Sequence, residues 1–66
     1  MIPADWTPVH RDDGEHVGWL ATDDDGRCEI VAEYLRRAGG FTEPEVSLRT
    51  PPGRGDPLYA VVAHRT

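Results

Sequence analysis

The first third of the chain contains two short stretches that carry β-branched and aromatic residues. They are residues 6–11 (WTPVHR) and 15–21 (EHVGWLA), and Asp12-Asp13-Gly14 separates them. Two such stretches around a short turn that contains glycine are typical of a β-hairpin. The pattern therefore predicts a hairpin over residues 6–21.

Two registers of this hairpin agree with the turn. One uses a two-residue Asp13-Gly14 turn, and the other uses a three-residue loop that ends with Gly14 in the left-handed conformation. The longer loop places opposite charges across from each other and aligns apolar side chains on one face, so we expect it. Its cross-strand pairs are Arg11 with Glu15, His10 with His16, and Val9 with Val17. Because Pro8 has no N–H to donate, we expect the first strand to be an edge or to be interrupted there.

The middle of the chain changes to a helical period. Thr22 and Asp25 have the spacing of a capping box, and Gly39-Gly40 provide a C-terminal stop. An apolar stripe recurs between them, formed by Cys28, Val31, Leu35 and Ala38 and widened by Ile30 and Tyr34. We predict a helix over residues 23–38 that turns this stripe toward a sheet.

The last third returns to strand-like patterns. After a break at Pro44, residues 45–50 (EVSLRT) alternate, and residues 58–64 (LYAVVAH) form the most strand-like run, with PPGRGDP as the loop between them. These residues predict a second hairpin over 45–64. The whole chain, residues 1–66, is then a single ββαββ domain of the α+β class, with a four-stranded, mostly antiparallel sheet packed on one helix. Two strand orders, 2-1-3-4 and 1-2-4-3, stay open.

Charge is unevenly distributed between the two halves. Residues 1–33 carry nine acidic residues and two arginines, a net charge of −7, whereas residues 34–66 carry three acidic residues and five arginines, a net charge of +2. The total of −5 argues against general binding to nucleic acids, whose phosphates it repels. The arginine excess in the second half leaves one alternative function, a nucleic-acid-binding module. Its candidate residues are Arg49, Arg54, Tyr59 and Arg65.

Size and cysteine content narrow the class of protein. A 66-residue chain buries only about 60% of its unfolded surface, and its one cysteine forms no internal disulfide, so a partner or a second copy would add to a small core. The first residues are neither basic nor followed by an apolar run, and an unpaired thiol suits a reducing compartment. We expect a cytoplasmic protein that does not bind membranes. All seven basic residues are arginine, which indicates a gene from a high-GC bacterium or its phage.

Three motifs suggest possible chemistry, but each has a structural interpretation. An EF-hand loop with Gly26 at its sixth position would begin and end at Ala21 and Ala32, which have no side-chain oxygen. His10 and His16 supply too few ligands for a structural zinc site. The acids around Cys28 oppose thiolate formation. We therefore expect no enzyme, no catalytic residue, no cofactor and no metal.

The remaining class is a small protein-binding module, such as an accessory protein, an inhibitor or a host-directed phage factor. Its hairpins leave sheet edges to which another strand can add, and tryptophan is a frequent interface anchor. The acidic first half would favour a partner with a basic surface, and a homodimer is the alternative. The candidate partner-binding residues are Trp6, His10, His16, Trp19 and Leu20.

Overall fold

A computed structural model describes residues 2–66 as one four-stranded antiparallel sheet with a helix on one face. The elements are β1 (Thr7–His10), β2 (Glu15–Trp19), α1 (Asp25–Ala38), β3 (Phe41–Arg49) and β4 (Leu58–Arg65). The strand order is β1-β2-β4-β3. The predicted ββαββ fold is confirmed, and the structure selects the order 1-2-4-3. Strands β1 and β3 are therefore the two edges.

The first hairpin has the register with the three-residue loop. Gly14 has a φ of 90°, its N–H donates to the carbonyl of Arg11 at 3.1 Å, and the N–H of Arg11 donates to the carbonyl of Glu15 at 2.8 Å. Asp13 supports the turn, because its Oδ1 accepts from the N–H of Glu15 at 2.9 Å. The strand pairs are the expected ones, Val9 with Val17 and His10 with His16. Both the register and the edge position of the first strand are confirmed.

Helix α1 begins two residues later than predicted. Asp24, and not Thr22, is the N-cap, because its Oδ1 accepts from the N–H of Gly26 at 3.0 Å and from that of Arg27 at 3.3 Å. The hydroxyl of Thr22 accepts from the guanidinium of Arg27 instead. The helix ends at Ala38 as predicted, and Gly39, which has a φ of 79°, is the C-cap.

The buried stripe of α1 differs from the predicted one. The helix packs over β3 and β4 and buries Cys28, Val31, Ala32 and Leu35. The prediction that Ile30 and Tyr34 widen the stripe is wrong, because their side chains are 56% and 42% exposed; Ala38 is exposed as well. Ile30 lies about 200° around the helix from Cys28. Its apolar character, rather than its position on the helix, suggested that it was buried.

Strand β3 begins at Phe41 rather than at residue 45, so the predicted break at Pro44 is wrong. The pairing with β4 is irregular between Thr42 and Glu45, and Glu43 has a φ of 45° there. A bulge of this kind accommodates a proline inside a strand. The carbonyl of Pro44 accepts from the guanidinium of Arg36 at 2.8 Å, which ties the bulge to the last turn of α1.

Both faces of the sheet are apolar at their centres. The face under α1 contributes Leu20 and Val61 to the core of the helix stripe. The opposite face buries a second cluster, Val17, Trp19, Leu58, Ala60 and Val62. The indole of Trp19 crosses β4 on this face, because its Nε1 donates to the carbonyl of Arg49 on β3 at 3.0 Å. Within residues 2–66, no helix has the length and apolar character needed to cross a membrane.

Candidate functional site

Three of the five candidate partner-binding residues lie together in an aromatic flank beside the helix. The flank consists of Trp6, His10, His16 and Phe41. The ring of His16 is at its centre, and its centroid lies 5.5 Å from the ring centroid of Trp6, 4.3 Å from that of His10 and 4.7 Å from that of Phe41. Of these four, only His10 is exposed; His16 is buried and the other two are half-buried. Phe41 was missed because the sequence pattern placed the start of its strand four residues too late.

The other two candidates lie elsewhere and are buried. Leu20 belongs to the core under α1, and Trp19 is 4% exposed on the opposite face of the sheet. The structure thus separates Trp19 and Leu20 from the aromatic flank. Both side chains are almost fully buried, so neither presents a broad surface to a partner.

The indole of Trp6 lies directly against the backbone of β2. A Cβ atom at Gly18 would stand only 2.1 Å from Nε1 of Trp6, so the position has room for glycine alone. Nε1 of Trp6 and Nε2 of His16 are buried without a hydrogen-bond partner among residues 2–66. An unpaired buried polar group costs about 1–3 kcal/mol, which the packing of Trp6 on β2 must offset. The indole of Trp6 is therefore packed on its own chain, and the residue as a whole is half-buried.

His10 and His16 form a close pair across the first hairpin. Their Nδ1 atoms are 3.1 Å apart, and the tautomer decides which of the two donates. Burial is the main cause that lowers the pKa of His16 below its usual 6.5, and the nearby charges of His10 and Arg65 act in the same direction. His16 is therefore neutral at pH 7. No group of three or more His, Cys, Asp or Glu side chains that could hold a metal ion occurs in residues 2–66.

A groove of about 280 Å³ lies on the face opposite the helix, between the first strand and the loop that joins β3 to β4. Its walls are mostly apolar and come from Val9, Trp19, Leu58, Pro51 and Pro52; Arg54 and Asp5 add charged groups. Asp5 is already paired with Arg27 at 2.7 Å. The volume lies just below the range of about 300–1,000 Å³ typical of ligand pockets. No histidine or cysteine of the described residues lines the groove.

Cys28 is a structural residue. Its side chain is fully buried in α1, and its Sγ lies 3.5 Å from the carbonyl of Tyr59, to which it donates. Burial raises the pKa of the Cys28 thiol, and the acidic side chains of Asp24 and Asp25 raise it further. Both effects keep the thiol protonated and unreactive.

The four residues of the nucleic-acid alternative do not share one surface. Arg49 points to the face opposite the helix, where it lies 3.5 Å from Glu15. Tyr59 and Arg65 alternate with the residues of that face along β4 and so point to the helix side. Arg54 lies in the loop beside the groove. The structure therefore divides these residues between two faces and a loop.

The β1 edge offers little to another strand. Arg11 and Glu15 are a hydrogen-bonded pair, and such pairs alternate along an antiparallel ladder. Thr7 and Val9 therefore bond β2, while Pro8 and His10 turn their backbone groups outward. Because Pro8 has no N–H, His10 provides the one outward donor of this four-residue strand.

The orientation of β4 determines which groups of β3 are free. Thr66 N–H donates toward β3, to the carbonyl of Gly40 at 3.0 Å, and Arg65 N–H donates toward β2, to the carbonyl of Gly14 at 2.9 Å. Backbone groups of successive strand residues point in opposite directions. The even-numbered residues of β4 therefore bond β3, and the odd-numbered ones bond β2.

The β3 edge is open at Val46 and Leu48. The even-numbered residues of β4 pair with Glu45, Ser47 and Arg49, so the backbone N–H and C=O groups of Val46 and Leu48 point away from the sheet. No hydrogen bond from another segment of residues 2–66 reaches these groups. The side chain of Leu48 is 54% exposed on the helix side of the same edge. Two donors, two acceptors and an exposed leucine thus lie together.

Comparison with known proteins gives no match: no family model matches the sequence, and no curated protein or solved structure is significantly similar to it.

Proposed function

We propose that this protein is a protein-binding module that accepts an extended strand of another polypeptide along the β3 edge. The observation that carries this proposal is the pair of outward-facing residues, Val46 and Leu48, whose backbone groups have no partner among the described segments. Backbone hydrogen bonds to an added strand supply affinity, and side-chain contacts supply specificity. Leu48 would provide the apolar contact.

The aromatic flank has a supporting role in this proposal. Its exposed member, His10, lies on β1, at the other edge of the sheet. Trp6 packs on Gly18 within the first hairpin, and His16 joins that hairpin to β3 through its contact with Phe41. A partner that docks there would meet mostly half-buried rings and one histidine.

The proposal includes a cytoplasmic location and no catalytic activity. The groove has no histidine or cysteine among its described lining residues, and Cys28 is buried with a raised pKa. The nucleic-acid alternative has less support, because Arg49 and Arg65 point to opposite faces. A mobility shift with DNA or RNA that weakens as salt is added would restore it.

Site-specific photo-crosslinking tests strand addition. A benzophenone amino acid replaces Leu48, His10 or Ile30 in three separate proteins, which are incubated with bacterial lysate and irradiated. Ile30 is the matched control, because it is 56% exposed and lies on α1. We expect crosslinks from position 48 that map by mass spectrometry to an extended segment of the captured chain. Yields from position 48 no higher than those from position 30 would overturn the proposal, and crosslinks from position 10 alone would move binding to the aromatic flank.

A further inference from the structure

We infer that the strand that adds to the β3 edge is β3 of a second copy of this chain, related by a two-fold axis at Ser47. This inference rests on the proposed function and names its partner. A symmetric dimer uses the same patch twice, so the patch must complement itself. The β3 edge meets this condition in its backbone, its side chains and its charges.

The backbone groups fit this arrangement. With Ser47 on the axis, Val46 lies opposite Leu48 of the second copy, and Leu48 lies opposite Val46 of the second copy. All of these residues turn N–H and C=O outward, so each pair exchanges two hydrogen bonds. Centring the axis on Val46 would instead oppose Leu48 to Pro44, which lacks an N–H and whose carbonyl is held by Arg36.

The charges fit the same register. Glu45 lies opposite Arg49 of the second copy, and the symmetry repeats this pair on the other side of the axis. Both side chains are on the face opposite the helix, because they pair with Val62 and Leu58 of β4. Opposite charges directly across two strands stabilise the pairing. Centring the axis on Leu48 would place Arg49 opposite Ser47 and lose both ion pairs.

Arg49 is free enough to make this contact. Its side chain is 43% exposed, and its contact with Glu15 in the monomer is 3.5 Å long, which is at the limit of a hydrogen bond. A guanidinium has five N–H donors, so Arg49 can serve Glu15 and the second copy together.

The apolar contacts and the distribution of net charge also agree with this pairing. On the helix side, the exposed Leu48 of each copy meets the half-buried Val46 of the other. The interface belongs to residues 34–66, which carry a net charge of +2. The hairpin of the −7 half lies at the far side of each sheet. Apart from Glu15, which contacts Arg49, the acidic residues of the first hairpin are therefore far from this interface.

Charge exchange at positions 45 and 49 tests the register. Sedimentation equilibrium, from micromolar to millimolar protein, would be measured for the parent, E45R, R49E, the double variant E45R/R49E, and an equimolar mixture of the single variants. We expect the parent to dimerise and each single variant to dissociate roughly tenfold more readily or more, because each opposes two like-charge pairs. The double variant and the mixture restore opposite charges at both pairs, so both dimerise.

A second pair of variants tests the edge without relying on these charges. L48K places a charge in the proposed contact, and I30K makes the same change at a similarly exposed position on α1. We expect L48K to be monomeric and I30K to dimerise like the parent, with both melting cooperatively by circular dichroism. The R49E protein could lose stability beside Glu15, but its assembly in the mixture would show that it folds.

The outcomes separate the second copy from strand addition in general. A parent that stays monomeric throughout, or single charge variants that dimerise as well as the parent, would overturn the second copy as the partner. If position 48 still crosslinks to another protein in that case, the proposed function stands. A monomeric parent without crosslinks from position 48 would overturn both.

Discussion

The two edge strands of this sheet, β1 and β3, differ in the number of free backbone groups that they present. β1 is four residues long and carries Pro8 at an outward position, so it presents a single backbone donor. β3 is nine residues long and presents the paired donors and acceptors of Val46 and Leu48. Short strands and prolines are common means of preventing edge-to-edge association. β3 has a proline and a bulge only in its first half, so the stretch around Val46 and Leu48 stays open, which in a chain this small is consistent with an interface.

The two edges also differ in what covers the sheet beside them. α1 packs over β3 and β4, while the β1–β2 hairpin is covered on that side by the aromatic flank. The β1 edge, which we call the closed edge, is thus joined to β2 by aromatic packing of Trp6 against Gly18. The β3 edge, which we call the open edge, has α1 packed on one face and has outward-pointing backbone groups at Val46 and Leu48. The β3 edge is therefore both backed by the helix and free to bond another strand.

The largest effect is expected from the helix that supports the open edge. Leu35→Ala should lower the free energy of unfolding by about 2–5 kcal/mol, because Leu35 is 4% exposed in the core under α1. Urea denaturation measures the change, and Ile30→Ala is the control on the exposed side of the same helix. A Leu35→Ala protein as stable as Ile30→Ala would mean that the helix packs on another face.

The next effect tests the packing that closes the β1 side. Gly18→Ala should cost about 1–3 kcal/mol, because the new methyl group meets the indole of Trp6. In a Trp6→Ala background the same change should cost almost nothing, and a double-mutant cycle measures the coupling. Equal costs in the two backgrounds would show that Trp6 does not lie on Gly18 in solution. Neither change should alter dimerisation at β3.

A smaller effect is expected at the turn of the closed edge. Gly14→Ala should cost about 1 kcal/mol, because the residue has a φ of 90°. Gly55→Ala is the control, since that glycine has open space around it and no left-handed φ. Thermal unfolding of both variants measures the difference. If the two variants melt together, the hairpin register in solution differs from the one described.

The smallest effect concerns pH and the buried histidine of the aromatic flank. The pKa of His16 is lowered in the folded state, mainly by burial, so below pH 6.5 the unfolded chain binds the proton more readily. The contribution of neutral His16 to the free energy of unfolding is then fully present above pH 6.5. It decreases as the pH falls from 6.5 toward the pKa of His16 in the folded state. His16→Gln should abolish this slope, while His64→Gln, at an exposed position, should keep it. A slope that survives His16→Gln would assign it to another group.

Local patterns predicted most of the fold. The turn at Gly14, the register it sets and the edge position of β1 follow from a few neighbouring residues. The start of β3 does not follow from neighbouring residues, because the strand continues through Pro44 by a bulge between Thr42 and Glu45, where Arg36 of the helix donates to the Pro44 carbonyl. The predicted width of the apolar stripe on the helix is also wrong, because the apolar Ile30 faces solvent.

The candidate site was harder to predict than the fold, because an edge is a property of the strand order. In the order 2-1-3-4, which the sequence left open, the edges would be β2 and β4, and Val46 and Leu48 would be inside the sheet. The tryptophans suggested an interface, yet Trp19 is buried and Trp6 packs on its own chain. Leu48 has an exposed side chain and unpaired backbone groups only because of the position of β3 in the sheet, which its sequence pattern does not reveal.

Amide hydrogen exchange measured by NMR tests the open β3 edge most directly. The N–H groups of Val46 and Leu48 should exchange quickly in dilute protein and become protected as the concentration rises, because the second copy accepts both hydrogen bonds. The outward N–H of His10 on β1 serves as the control and should exchange at the same rate at every concentration. Exchange at Val46 and Leu48 that is slow in dilute protein, or that stays independent of concentration, would contradict the account.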